Sequence, residues 1–171
     1  MRKILLATSV AALAACQSIP SDAPRATASL QPTKSGKAAG TVNFYQIGNQ
    51  VRVVANVSGL VPGREHGFHI HEAGDCSSGD GMSTKGHFNP FGKPHGHFGG
   101  AERHAGDMPA LKADMNGQAS LETDLNLMTV LPGPGSVVGR GLIVHADPDD
   151  YKTQPTGNAG ARIACAVIQR S

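Results

Sequence analysis

Short runs of apolar residues at alternate positions recur along this chain, and no long segment carries a helical period. Val51-Arg-Val-Val-Ala-Asn-Val57 alternates imperfectly, as a half-buried strand does. By this pattern strands are expected at Gly40–Tyr45, Val51–Ser58, His66–Glu72, Gln118–Leu125, Val137–His145 and Arg162–Ile168. Turn signals separate them: Ile47-Gly-Asn49, Val61-Pro-Gly63, and Lys112–Gly117, which ends in Asn-Gly. The pattern predicts an all-β domain. Between the strands, a stretch from Gly79 to Pro109 is dense in Gly and Pro and reads as one long loop; loops of this length inside a compact domain are usually functional.

The polar residues that interrupt this pattern are histidines. In Gly67-Phe-His-Ile-His71 the two imidazoles stand at i and i+2. A strand sends them to one face and Phe68 and Ile70 to the other. His145 ends a second apolar run, Leu142-Ile-Val-His145, while His87, His95, His104 and Asp107 lie in the long loop. Six histidines and one aspartate exceed the needs of a single tetrahedral site, so two sites or one redundant site are expected. Imidazole suits copper and zinc, and an added carboxylate favours zinc. His66 reads as a strand histidine bonded to backbone, and His97 as a solvated loop residue. Asp147 and Asp150 read as surface charges, and Arg140 as a structural hydrogen-bonder.

Other motifs fail. His71-Glu72 does not continue to a metalloprotease HExxH, and Gly133-Pro-Gly-Ser-Val-Val-Gly139 misses the dinucleotide fingerprint and precedes a strand. Asn56-Val-Ser58 is a formal glycosylation sequon inside a strand and carries no weight.

The ordered strings GFHIHE, GHFNP, HG, RHAGDMP, GRGLIVHA, DD and GNAGARIAC resemble a copper/zinc superoxide dismutase, over about Thr41 to Ile168. The resemblance implies a Greek-key β-sandwich or flattened eight-stranded barrel with two long functional loops. It implies copper on His69, His71, His87 and His145, and zinc on His87, His95, His104 and Asp107, with His87 shared as a bridging imidazolate. Asp149 matches the family's carboxylate that links a copper-ligand histidine to a zinc-ligand one, here His69 and His95. Arg162 matches the arginine that receives the anionic substrate. Arg162 and His87 are then the catalytic side chains, the substrate is superoxide anion, and the reaction is its disproportionation to dioxygen and hydrogen peroxide. Two departures stand out. The segment from Cys76 to His87 is longer than in animal members, and that from His145 to Arg162 is shorter. The family's steering-lysine position is Pro155 here, which leaves Lys152 as the basic candidate. Interfaces differ among bacterial members, so a homodimer is an option that stays open beside a monomer. Two other functions fit the histidines: a non-catalytic periplasmic copper-binding or chaperone protein on the same scaffold, and a zinc-storage lipoprotein. Neither accounts for a full ligand set together with Arg162 and Asp149.

With 171 residues the chain makes one domain. Removing residues 1–15 takes away Arg2 and Lys3 and leaves thirteen basic and thirteen acidic side chains. No basic block or aromatic stripe points to nucleic acid. Arg2-Lys3 followed by the apolar stretch Ile4 to Ala15 reads as an export signal, too short to span a bilayer. Leu13-Ala-Ala-Cys16 resembles a bacterial lipobox, so residues 1–15 are expected to be a lipoprotein signal and Cys16 the lipidated first residue. The chain is then expected to be anchored to a membrane, with its domain in the periplasm. Gln17 is not the aspartate that retains lipoproteins at the inner membrane, so the outer membrane is expected. Residues 16–37 read as a flexible tether with one strand near Thr27–Leu30, and 38–171 as the domain. Cys76 and Cys165 are left to form a disulfide in an oxidising compartment.

Overall fold

A computed structural model describes residues 18–171; the expected export signal and Cys16 lie outside the described residues. Ten strands follow in chain order: β1 Arg25–Pro32, β2 Ala39–Ile47, β3 Gln50–Ser58, β4 Glu65–His66, β5 Phe68–His71, β6 Leu111–Lys112, β7 Ala119–Leu125, β8 Gly141–His145, β9 Arg162–Val167 and β10 Gln169–Arg170. The described helical content is one 3₁₀ turn, Met82–Thr84. The main sheet runs β5-β8-β9-β1-β2-β3-β7, with β10 also on β1, and every pairing is antiparallel. The late strand β9 returns beside β1, the Greek-key feature. At the seam, β4 leads into β5 and β6 into β7, and the short β4–β6 ladder ties these two edges together.

Alternation builds the core. In β3, Val51, Val53, Ala55 and Val57 are buried while their neighbours are not, and Val42 and Phe44 do the same in β2. Leu30, Phe44, Phe68, Ile70, Leu111, Leu142 and Ile168 are almost fully buried, each such side chain contributing about 1.5–3 kcal/mol. Strands β5 and β8 break the alternation because every residue in them is buried. One of their faces meets the core, and the other lies beneath the loops that follow β5 and β8.

Three strand boundaries shift in the structure, and two short strands were not expected. The strand expected near Thr27–Leu30 is longer: β1 spans Arg25–Pro32 and pairs with β2, β9 and β10. Its inward residues Ala26, Ala28 and Leu30 are buried, but two are only alanines, so the period-two signal is faint. The run His66–Glu72 divides at Gly67, where a Cβ would press on the Ala159 and His145 side chains. The strand expected from Val137 begins only at Gly141, because Val137–Arg140 closes a turn (Arg140 N–H to Val137 O, 3.1 Å) with Gly139 at φ 80°. The two-residue strands β6 and β10 are too short to carry a period.

Candidate metal centre

Strand β5 supplies His69 and His71 from one face, with Phe68 and Ile70 turned to the core. On one edge it pairs with β8, setting His69 opposite Ile143. Its other edge is completed by loop backbone: His69 bridges to Asp107 and His71 to His87. Ile70 N–H donates to Gly106 O (3.0 Å), and Phe88 N–H to Ile70 O (2.8 Å). A Cβ at position 106 would collide with Ile70 O, so glycine permits this approach. Ladder pairing thus delivers two loop residues to the histidine strand. His145 ends β8 just past a register shift at Val144/His145, an irregularity that re-aims a side chain.

Four rings converge. One nitrogen of each of His69, His71, His87 and His145 lies within 4.8 Å of the others, all buried. The remaining nitrogens of these rings are held in place. His69 Nε2–H donates to Asp149 (2.8 Å), His71 Nδ1–H to Lys85 O (2.9 Å), and His145 Nδ1–H to Gly160 O (3.2 Å). These bonds set the tautomers, so His69 Nδ1, His71 Nε2 and His145 Nε2 carry lone pairs. Together with His87 Nε2, they are the buried side-chain nitrogens and oxygens without a hydrogen-bond partner among the described residues. Such atoms cost about 1–3 kcal/mol each unless something satisfies them, and a cation satisfies all four at once. Burial, with neighbouring histidines and Arg162, pushes His71 well below its ordinary pKa. Burial likewise lowers His145, and it takes His87 to about 4 against the pull of Asp107. These three rings are therefore neutral near neutral pH, as metal ligands must be.

A second group adjoins the first through His87. The Nδ1 atoms of His87, His95 and His104 lie 2.8, 3.0 and 3.3 Å from one oxygen of Asp107. The other carboxylate oxygen accepts the backbone N–H groups of His104 (2.8 Å) and Gly96 (3.1 Å). Three imidazoles and a carboxylate around one point form a set suited to zinc. Burial works to raise Asp107, but hydrogen bonds from the three rings hold it far below the usual carboxylate range. His95 is lifted to about 9, because bonds to Asp107 and Asp149 outweigh its burial. His87 shares Asp107 but lies among other histidines and lacks a second carboxylate.

Asp149 stands behind both groups, accepting from His69 Nε2–H (2.8 Å), His95 Nε2–H (2.9 Å) and Tyr151 N–H (2.7 Å). A Cβ on Gly157 would overlap Asp149 and the His95 ring, so that glycine sets how closely the second loop can approach.

Above the first group lies a cleft of about 330 Å³, lined by His71, Met82, His145, Thr156 and Arg162 among others. Arg162 is held by three bonds: to Gly81 O (2.7 Å), Thr84 Oγ1 (2.9 Å) and Lys85 O (2.7 Å). The Lys85 carbonyl therefore accepts from both His71 and Arg162, and Lys85 takes the unusual φ 63°, ψ −143° to present it. The Cys76–Cys165 disulfide, with Cα atoms 6.0 Å apart, ties this segment to β9 just beyond Arg162.

The bystanders fall where the sequence put them. His66 is buried but bonded at both nitrogens, to His145 O (2.8 Å) and from Val61 N–H (3.2 Å). His97 is exposed, and its Nδ1 accepts from Gly99 N–H. Arg140 donates to Glu72 O (2.8 Å) and lies over the Phe88 ring. Asp147 pairs with Arg64 at the surface, and Asp150 caps its own turn. Sequence reasoning missed Lys85, Gly81, Thr84 and Gly160, most of which act through backbone carbonyls that leave no mark on side-chain identity. It also missed Gln154, an exposed amide in a polar loop.

The family model described as copper/zinc superoxide dismutase matches residues 38–168. Among curated proteins, "Superoxide dismutase [Cu-Zn]" of Paramecium bursaria Chlorella virus 1 is 44% identical over 139 residues, covering 78% of this chain and 73% of that protein. "Superoxide dismutase [Cu-Zn] 2" of Aquifex aeolicus (strain VF5) is 40% identical over 138 residues, with 78% and 81% covered. "Superoxide dismutase [Cu-Zn] 1" of the same organism is 39% identical over 140 residues, with 80% and 83% covered. An all-β Greek-key fold, two linked histidine groups and matches of this extent converge on one statement: the chain belongs to the copper/zinc superoxide dismutase family.

Proposed function

We propose that this chain disproportionates superoxide, so that two superoxide anions and two protons yield one dioxygen and one hydrogen peroxide. We assign copper to His69 Nδ1, His71 Nε2, His87 Nε2 and His145 Nε2, and zinc to the Nδ1 atoms of His87, His95 and His104 with Asp107. The single observation that carries the reading is the set of four buried, partnerless ring nitrogens beside the Asp107 cluster, with His87 belonging to both groups. When bound, copper supplies one-electron redox chemistry, and zinc, which has none, holds the shared ring. The protein's own parts do the rest. Arg162 offers a fixed cation at the cleft and orients the anion without contacting the ligand atoms. His87 moves a proton at Nε2 while its Nδ1 stays in the Asp107 cluster. Asp149 keeps His69 and His95 in the tautomers that the ligand positions require. With Pro155 at the steering position, Lys152 is the basic residue left in that loop to draw the anion in.

The N-terminal string supports a lipid anchor at Cys16 and a periplasmic domain tethered to the outer membrane. Mass spectrometry of the mature chain tests it: a lipidated Cys16 start supports the anchor, and an unmodified N-terminus refutes it without touching the enzyme reading. The activity is tested by metal analysis joined to a dismutation assay. One copper and one zinc per chain with activity supports the reading; two coppers with no preference for zinc contradicts the two-site assignment.

A further inference from the structure

Gln154 lies in the loop after β8, well away in sequence from the zinc-site loop, yet its amide grips one ligand residue at two points. His95 N–H donates to Gln154 Oε1 at 2.9 Å, and Gln154 Nε2–H donates to His95 O at 2.8 Å, across a separation of 59 residues. The side-chain amide thus reads the His95 peptide as a neighbouring strand would. Its partners in the loop brace it further. Gln154 Nε2 also approaches Lys152 O (3.4 Å), Gly157 N–H donates to Thr153 O (2.7 Å), and Asp150 caps the backbone of residues 152 and 153 (2.9 and 2.8 Å).

From the other side, the His95 ring is held by Asp149 at Nε2, and the next residue, Gly96, by Asp107. Asp149 sets the ring and Gln154 sets the backbone, so between them the position of Nδ1 is over-determined. Asp149 and Gln154 belong to the same loop, which closes over His95 as one piece.

We propose that Gln154 is a positioning residue for the zinc site: a two-point amide clamp that keeps His95 in ligating geometry without touching the metal. The proposal rests on the zinc assignment made above. It follows that the clamp acts on zinc retention and leaves the four-nitrogen group largely alone, since none of the copper-assigned residues touches Gln154. The donor and the acceptor are both needed. Glutamate at this position keeps the acceptor for His95 N–H but sets a carboxylate against His95 O. Asparagine is one methylene too short to reach.

The test uses the full chain loaded with both metals, and follows zinc transfer to a colorimetric chelator and copper content side by side. Gln154→Ala and Gln154→Glu should release zinc about tenfold faster than wild type, equivalent to about 1.4 kcal/mol. Copper content and the thermal midpoint of the metal-free protein should stay at wild-type values, which a general structural role would not allow. Gln154→Asn should not rescue. Zinc release unchanged in Gln154→Ala, or loss of both metals together with a lower metal-free midpoint, overturns the clamp while leaving the zinc assignment intact. A wild-type chain that holds no zinc overturns both.

Discussion

Replacing Cys76 with serine and Cys165 with alanine perturbs stability and function through one bond, and the two effects separate. The cysteines stand 89 residues apart, so the bond closes more than half of the chain. The chain-entropy relation gives about 4.6 kcal/mol for a loop of that length, all of it acting on the unfolded state. For a domain of this size that corresponds to a fall in midpoint of roughly 9–18 °C. The functional effect has a different origin. Cys76 anchors the segment whose Gly81, Thr84 and Lys85 hold the Arg162 guanidinium, and Cys165 lies three positions beyond Arg162 on β9. Without the bond the segment and the arginine drift apart. A displacement of about 1 Å can cost about a hundredfold in rate. Guanidinium unfolding of the metal-free double variant measures the first effect, with a rise in m expected because the uncrosslinked unfolded chain is more open. Dismutation per bound copper measures the second. A loss of stability below about 1.5 kcal/mol refutes the loop-entropy argument. Full activity per copper refutes the claim that the disulfide positions Arg162.

Arg162→Ala should lower dismutation by roughly a hundredfold and flatten its salt dependence while copper content stays unchanged; wild-type activity would make Arg162 an ordinary surface residue. Asp149→Asn should weaken binding of both metals by about 10–100-fold in competition titrations, because its carboxylate bonds a ring from each group. In the metal-free protein, His95 has a folded pKa raised from 6.5 to about 9, so its contribution is complete below the lower value and lost as pH rises through the upper one. That contribution is at most about 3.4 kcal/mol, and thermal melts between those pH values should show the decline, which His95→Gln abolishes.

The two residue groups were legible because they are built from side chains of rare type in ordered strings. His69 and His71 declared a strand face, and the fold put them on one. The supporting framework was less visible. Lys85, Gly81 and Gly160 contribute carbonyls, which every residue has. Gln154 is a polar residue in a polar loop, and only the folded path brings it to His95. Strand β1 was read too short because Ala26 and Ala28 bury little area and so barely mark their face. β8 was read too long because Val137 and Val138 continue the apolar run into a turn. In both cases side-chain character described burial, and backbone hydrogen bonding decided the element.

The central claim is that one imidazole serves two metal ions. With cobalt in the His87–His95–His104–Asp107 group and copper(II) in the other, a shared His87 imidazolate should couple the two spins. The electron-spin signal of copper(II) should then vanish in the wild type and return in His87→Ala. An unperturbed copper(II) signal in the cobalt-substituted wild type would mean two independent sites, and the proposed proton transfer at His87 Nε2 would fall with the bridge.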